Sequence, residues 1–116
     1  MKQAFLLLLL LLAAPLRAQE LIMFEERGCF WCARWNEEIA PIYPKTAEAK
    51  IAPLRRVDLH APRPNDLAGI GAVTFSPTFV LFHEGAEIGR IEGYPGEAFF
   101  WGLLGQMLKN MKEGSS

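Results

Sequence analysis

Residues 21–32 read LIMFEERGCFWC, and this segment contains both cysteines of the 116-residue chain. Residues 21–24 form a short apolar run between glutamates, which is too short for a helix and is typical of a buried strand. Gly28 ends this strand, and helical periodicity begins at Phe30. The segment therefore predicts a strand that leads into a helix, with Cys29 and Cys32 at the junction.

The order of the remaining elements follows from hydrophobic spacing. After the junction, apolar residues recur every three or four positions at Trp31, Trp35, Ile39 and Ile42, and Pro41 is expected to kink this helix or to begin a new segment. Further patterns predict strands at 54–59, 78–82 and 87–92, a short helix at 66–70 and a helix at 97–111. This order predicts an α/β fold, a four-stranded mixed sheet with flanking helices on both faces.

The first 18 residues have the layout of a secretory signal peptide. Lys2 provides a positive charge, residues 4–12 are an unbroken apolar run, and Ala18 is the small residue expected before a cleavage site. The run is about half of the ~20 apolar residues that a membrane span needs, which disfavours an uncleaved anchor. We therefore predict a signal peptide at 1–18, one domain at 19–116, and a periplasmic location if the organism is a Gram-negative bacterium.

The Cys29–Cys32 pair has the spacing of a redox-active dithiol. A thiol at a helix N-terminus is stabilised as the thiolate, which lowers its pKa from ~8.5 into the range of about 3.5–7.5. We expect Cys29 to be the attacking thiolate and Cys32, one turn further into the helix, to be the resolving thiol. The net charge of −1 gives no basic face for a nucleic-acid partner.

Three other interpretations of the two cysteines compete with redox chemistry. A zinc site needs about four ligands, and only His60 and His83 remain as further candidates of the usual kind, so no metal is predicted. A purely structural disulfide would close a very small loop and constrain the unfolded chain little. Two inert buried thiols are disfavoured because exported proteins seldom keep such a pair reduced.

The second half of the chain carries a family resemblance. The segment SPTFVLF at 76–82, followed by Glu84-Gly85 and Gly93, resembles the thioredoxin superfamily, which has a cis-proline before Thr, an apolar strand, a turn and a return strand. With the cysteine pair, the resemblance covers nearly all of residues 19–116 and implies a compact thioredoxin fold (βαβ-α-ββα). It implies a cis Ser76–Pro77 bond, with Pro77 beside the cysteines, where it also keeps stray metal from both sulfurs.

The same resemblance implies how a substrate is bound. The backbone of Ser76 would hydrogen-bond an extended substrate segment as an added strand. Phe30 and Trp31 stand where ordinary thioredoxins have Gly-Pro, and they either form an apolar docking ridge for a partner or pack on the domain itself. No cofactor is needed beyond the two thiols.

Two features depart from the family pattern. The extra N-terminal strand and helix of full-length thioredoxins are missing, which makes this the glutaredoxin-sized version. Many thioredoxins also bury an acid six residues before the first cysteine, and here that position is Met23. The group that accepts the proton of the resolving thiol is therefore unassigned. Glu25, Glu26 and His60 are candidates, although such residues are usually solvated.

A narrower resemblance links the chain to SoxS-type periplasmic thioredoxins of sulfur-oxidation systems. The matching segments are Arg34-Trp35, Ile42-Tyr43-Pro44, Arg56-Val57-Asp58 and GRIEGYPG at 89–96. The resemblance implies a reductase that keeps a cysteine of a periplasmic sulfur-carrier protein reduced, with electrons from a membrane thiol-reductant transporter. We expect the protein to act as a monomer. The alternatives are a thiol oxidase or isomerase, and a non-catalytic adaptor with a structural disulfide.

Overall fold

The structure is a computed structural model that describes residues 19–114, so the predicted signal peptide at 1–18 lies outside the described residues. The strands are β1 (Gln19–Glu25), β2 (Leu54–Asp58), β3 (Thr78–His83) and β4 (Ala86–Glu92), and the α-helices are α1 (Phe30–Glu38), α2 (Ala47–Ile51) and α3 (Glu97–Gly114). Single-turn 3₁₀ helices occupy Tyr43–Lys45 and Asn65–Leu67. Within this part of the chain, no helix has the length and apolar character to cross a membrane.

The four strands form one mixed sheet in the order β2-β1-β3-β4. β1 runs parallel to β2 and antiparallel to β3, and β3 pairs with β4 as the predicted hairpin. The parallel pair needs a crossover, which α1 and α2 supply. The predicted α/β class and four-stranded mixed sheet are confirmed.

The central strand β1 is buried on both faces, because successive side chains of a strand point to opposite sides of the sheet. Leu21 and Met23 pack into a core that contains Trp35 of α1 and Phe100 of α3. The other core, around Ile22 and Phe24, is covered by the connection between β2 and β3. That connection contributes Leu67 and Ile70 to the second core, and its helical part is the 3₁₀ turn Asn65–Leu67, shorter than the helix predicted at 66–70.

The helix that begins at the cysteines ends before Pro41, the residue at which a kink or a new segment is expected. α1 ends at Glu38, and Ile42 is exposed instead of extending the buried face of the helix. Pro41 follows closely, and the chain turns into a 3₁₀ helix and then into α2, which the sequence analysis did not predict. Thr46 caps α2 by accepting the Ala49 N–H at 3.1 Å.

Candidate active site

The two cysteines lie at the N-terminus of α1 and form a disulfide. Gly28 has a φ of +77°, a value that glycine adopts at little cost, and it turns the chain from the β1 end into the helix. Cys29 is the N-cap residue, and its Sγ accepts the Cys32 N–H at 3.1 Å. The first turn of the helix therefore places the Cys32 N–H against the sulfur of Cys29, where it and the helix N-terminus stabilise negative charge.

The two sulfurs are not equally accessible. Cys29 is partly exposed, whereas Cys32 is only 3% exposed and belongs to the same core as Trp35. A partner can therefore approach the pair at Cys29 but not at Cys32. This asymmetry is what a dithiol needs if one sulfur attacks and the other resolves.

The aromatic side chains between the cysteines face solvent. Phe30 is 65% exposed and Trp31 is 52% exposed, and their rings meet edge to face with centroids 5.0 Å apart. Phe75, which precedes the Ser76–Pro77 pair, is 59% exposed. Three exposed aromatic rings therefore lie in the segments that carry the predicted site residues.

The segment before β3 is held from both sides. The Ser76–Pro77 peptide bond is cis, and Pro77 is buried. The Thr78 hydroxyl donates to the Phe75 carbonyl at 2.7 Å, and the Gly93 N–H donates to the Pro77 carbonyl at 2.7 Å. These bonds fix the backbone on either side of Ser76.

A shallow groove runs beside the disulfide. Its lining residues are Glu25, Glu26, Gly28, Cys29, Phe30, Cys32, Ala33 and Asn36. Ser76 is joined to this groove through Glu26, because the Ser76 hydroxyl donates to Glu26 Oε1 at 2.5 Å. The predicted residues Cys29, Cys32 and Phe30 thus line one groove, with Cys32 nearly buried at it, and Ser76 connects to this groove through Glu26.

Glu26 is more constrained than a solvated surface carboxylate. Its Oε1 accepts from Ser76, and its Oε2 is hydrogen-bonded to the ring nitrogen Nε2 of His60. The bond from Ser76, followed by that from His60, holds the pKa of Glu26 below its usual value. Sequence reasoning could not find this bridge, because His60 and Ser76 are 34 and 50 residues away along the chain.

A second charged group lies beside the groove. Arg56 Nη1 donates to both carboxylate oxygens of Glu25, at 2.9 and 3.0 Å, and its Nη2 donates to Asn36 Oδ1 at 2.8 Å. The guanidinium also lies 5.7 Å from the ring centroid of Trp35. Met23 faces Arg56 across the parallel strands and is fully buried, so the position at which the family has an acid is apolar here.

The most informative comparison is with the crystal structure of the periplasmic thioredoxin SoxS from Paracoccus pantotrophus in its reduced form. The two chains are 48% identical, the match covers 80% of this chain and 98% of that chain, and the TM-score is 0.77. This chain belongs to the thioredoxin family. Its CxxC spacing and its disulfide make it a thioredoxin-like thiol–disulfide oxidoreductase.

More distant thioredoxins share the fold. Malassezia sympodialis thioredoxin is 19% identical, with 78% of each chain covered and a TM-score of 0.61. Fasciola hepatica thioredoxin is 21% identical, with 90% of this chain and 93% of that chain covered and a TM-score of 0.59. A scan against protein-family models and a search of curated proteins gave no match.

The thioredoxin fold explains the position of the cysteine pair. In α/β sheets, the carboxyl end of a strand leads directly to a helix N-terminus, and functional residues collect at that edge. Here β1 ends at Glu25, and Cys29 follows after a turn of three residues. No three side chains of the His, Cys, Asp and Glu types come together as a metal-binding cluster within residues 19–114.

Proposed function

We propose that this thioredoxin is a periplasmic reductase that keeps a cysteine of a protein partner reduced. The proposal depends above all on the unequal exposure of the two sulfurs, with Cys29 accessible at a helix N-terminus and Cys32 buried behind it. That arrangement supports a one-sided attack on a partner disulfide, followed by an internal release step.

In the first step, the reduced protein presents Cys29 as a thiolate. The thiolate attacks one sulfur of the partner disulfide, forms a mixed disulfide with it, and breaks the partner's S–S bond. The departing partner sulfur leaves as a thiolate and takes a proton from solvent. The Cys32 N–H and the N-terminal end of α1 stabilise the Cys29 thiolate before attack.

In the second step, Cys32 loses its proton and attacks the Cys29 sulfur. This attack forms the Cys29–Cys32 disulfide and releases the second partner sulfur as a thiolate, so two electrons have passed to the partner. Because Cys32 is buried beside Cys29, the sulfur it can reach is that of Cys29, and a partner sulfur cannot approach it directly. The oxidised protein then needs two electrons from a thiol reductant before it can act again.

The surface around Cys29 supports a protein substrate. Phe30 and Trp31 offer an apolar ridge that a partner can cover, and aromatic residues commonly anchor protein interfaces. The fixed backbone around Ser76 and Pro77 offers an edge for an extended segment of the partner. We propose that the residues Phe30, Trp31, Ser76 and Pro77 bind the substrate.

The biological setting is proposed from the SoxS resemblance and from the sequence of residues 1–18. These residues would export the protein to the periplasm. There a membrane thiol-reductant transporter would supply its electrons. The partner would be a sulfur-carrier protein whose cysteine must stay reduced. The protein would act as a monomer.

The redox potential tests the proposed direction of electron flow. We expect a value of about −270 mV, which is that of a reducing thioredoxin. A value of about −120 mV, which is that of a strong thiol oxidant, would overturn the reductase and favour an oxidase instead. Equilibration of residues 19–116 with glutathione or dithiothreitol couples gives this value directly.

Covalent trapping tests the roles of the two cysteines. Cys32→Ser should accumulate a mixed disulfide with partner proteins, because the resolving thiol is gone while the attacking thiol remains. Cys29→Ser, which differs from wild type by the same single atom, should trap nothing and reduce nothing. Equal trapping by both variants, or by neither, would overturn the assigned roles.

A further inference from the structure

The carboxylate of Glu26 joins parts of the chain that are distant in sequence. It belongs to the short turn between β1 and α1, three residues before Cys29. Its oxygens contact His60 and Ser76 separately, one oxygen for each partner. Neither contact is a consequence of secondary structure, so the bridge is made by the side chain alone.

Both partners of Glu26 lie in the connection between β2 and β3, which spans residues 59–77. His60 is near the start of this connection and Ser76 is near its end. One carboxylate therefore ties both ends of a 19-residue connection to the turn that carries Cys29. At the start of the connection, a backbone hydrogen bond also holds the chain, because the Leu59 N–H donates to the Glu25 carbonyl at 2.8 Å. At its end, the hydrogen bond to the Ser76 hydroxyl is made by the Glu26 side chain.

We propose that Glu26 is a positioning residue that sets the distance between Ser76 and Cys29, and thereby the space in which a substrate polypeptide binds between them. The inference rests on the proposed function, because it needs a peptide segment to bind along Ser76. It assigns Glu26 no contact with the reacting sulfurs and no proton transfer.

The electrostatics of the bridge favour its persistence at neutral pH. Bonds from Ser76 and His60 keep the pKa of Glu26 below its ordinary value, so the carboxylate is ionised and accepts both bonds. Charge-assisted bonds of this kind are stronger than neutral ones. Other charged residues line the surface next to Glu26, namely Arg27, Arg56 and Asp58. The Ser76 hydroxyl nevertheless donates to Glu26.

A pair of substitutions separates the bridging role of Glu26 from its charge. Glu26→Ala and Glu26→Gln both remove a negative charge beside Cys29, so both change the reactivity of that thiol in the same way. Glu26→Gln keeps an oxygen that accepts from Ser76 and an amide group opposite His60, whereas Glu26→Ala keeps neither. The difference between the two variants therefore reports the hydrogen bonds.

The substrates are a peptide disulfide such as insulin and a small aromatic disulfide such as 5,5′-dithiobis(2-nitrobenzoate), which has no peptide backbone to bind along Ser76. For insulin, we expect Glu26→Ala to raise KM about fivefold to tenfold relative to Glu26→Gln, the size expected for one or two hydrogen bonds, with kcat little changed. For the small disulfide, the two variants should react at equal rates. Equal KM values for insulin would overturn the proposal.

A third variant shows whether the effect of Glu26→Ala comes from a folding defect. Ser76→Ala removes only the hydroxyl and should raise the KM for insulin by a similar factor. The double variant should have a KM no higher than that of either single variant. Additive effects would show that the two residues act independently and would overturn the bridge. Glu37→Ala, which removes an exposed carboxylate from the surface of α1, serves as the control and should match wild type.

Failure of this inference is distinguishable from failure of the proposed function. A wild-type protein that reduces no peptide disulfide, with Cys29→Ser indistinguishable from it, would overturn the proposed function. An active wild type with equal KM values for Glu26→Ala and Glu26→Gln would overturn only the role of Glu26.

Discussion

Gly69 lies where the connection between β2 and β3 passes the turn between β3 and β4. A Cβ atom at this position would lie 1.9 Å from the Gly85 carbonyl oxygen, which belongs to the backbone and cannot rotate away. We expect Gly69→Ala to destabilise the protein by about 3 kcal/mol or more, at the upper end of the cost of overpacking. Chemical denaturation of the oxidised protein measures this change.

Gly71→Ala is the matched control, because it makes the same change two residues away. Its Cβ would meet the end of the Arg90 side chain at 3.4 Å, and that side chain can move. We expect a loss below about 1 kcal/mol, typical of a surface substitution. Equal losses for the two variants would show that the close approach at Gly69 does not limit stability.

The sequence identified the single residues whose role depends on local structure. Cys29 and Cys32 could be placed at a helix start because the strand before them and the helix after them both have clear periodicity. The sequence does not show that Glu26 bridges His60 and Ser76, because these partners are distant in sequence and no motif around Glu26 indicates such a contact. For the same reason, the Arg56 contacts with Glu25 and Asn36 were not predicted.

The interior of the long helix α3 contains two glycines that its packing does not require. Nothing lies within 4 Å of a Cβ built at Gly102 or Gly105, and both positions are exposed. Alanine restricts the unfolded chain more than glycine does, so each replacement should stabilise the protein by about 0.5–1 kcal/mol. Thermal unfolding should show a rise in Tm of roughly 4–8 °C per kcal/mol for a domain of this size.

Gly89 in β4 provides the contrast for that prediction. A Cβ there would lie 2.9 Å from the Met107 sulfur of α3, so the methionine would have to shift. We expect no gain from Gly89→Ala. A rise in Tm for Gly89→Ala as large as that for Gly105→Ala would contradict the packing of β4 against α3.

Elements with long or strongly periodic patterns were predicted well, and short ones were not. β3 follows from a run of residues that favour strands, and α3 follows from a wide apolar face. α2 was missed because five residues between two prolines give too little periodicity, and its capping residue, Thr46, is equally common in turns. The apolar spacing alone does not give the end of α1, because Ile42 continues the spacing beyond Pro41 but is exposed.

The protein as a whole should lose stability in alkaline solution through its two tyrosines. The Tyr43 hydroxyl donates to the buried Ala52 carbonyl, and the Tyr94 hydroxyl donates to Glu38, both at 2.7 Å. Burial raises the pKa of both residues above the usual value, and for Tyr94 the bond to Glu38 adds to this effect. Since these are the chain's only tyrosines, tyrosinate absorbance should be absent at pH 10 while the protein is folded.

The sign of the effect follows from proton linkage. In the unfolded chain both tyrosines ionise near pH 10, whereas the folded protein holds their protons to higher pH. Stability from these groups is therefore complete below about pH 10 and is lost as the pH rises towards the folded-state pKa. A spectrophotometric titration tests this prediction. If either tyrosine ionises near pH 10 while the protein stays folded, its hydroxyl is not buried as described.

The burial of Cys32 has a practical consequence for counting thiols. In the reduced protein, a maleimide or iodoacetamide probe should modify one sulfur per molecule quickly, at Cys29. The second equivalent should be taken up only when the domain opens or is denatured, because Cys32 is packed in the core. Intact mass measured over time should therefore show a single adduct long before a double one, and a native thiol assay would report half of the reducing equivalents that the protein carries.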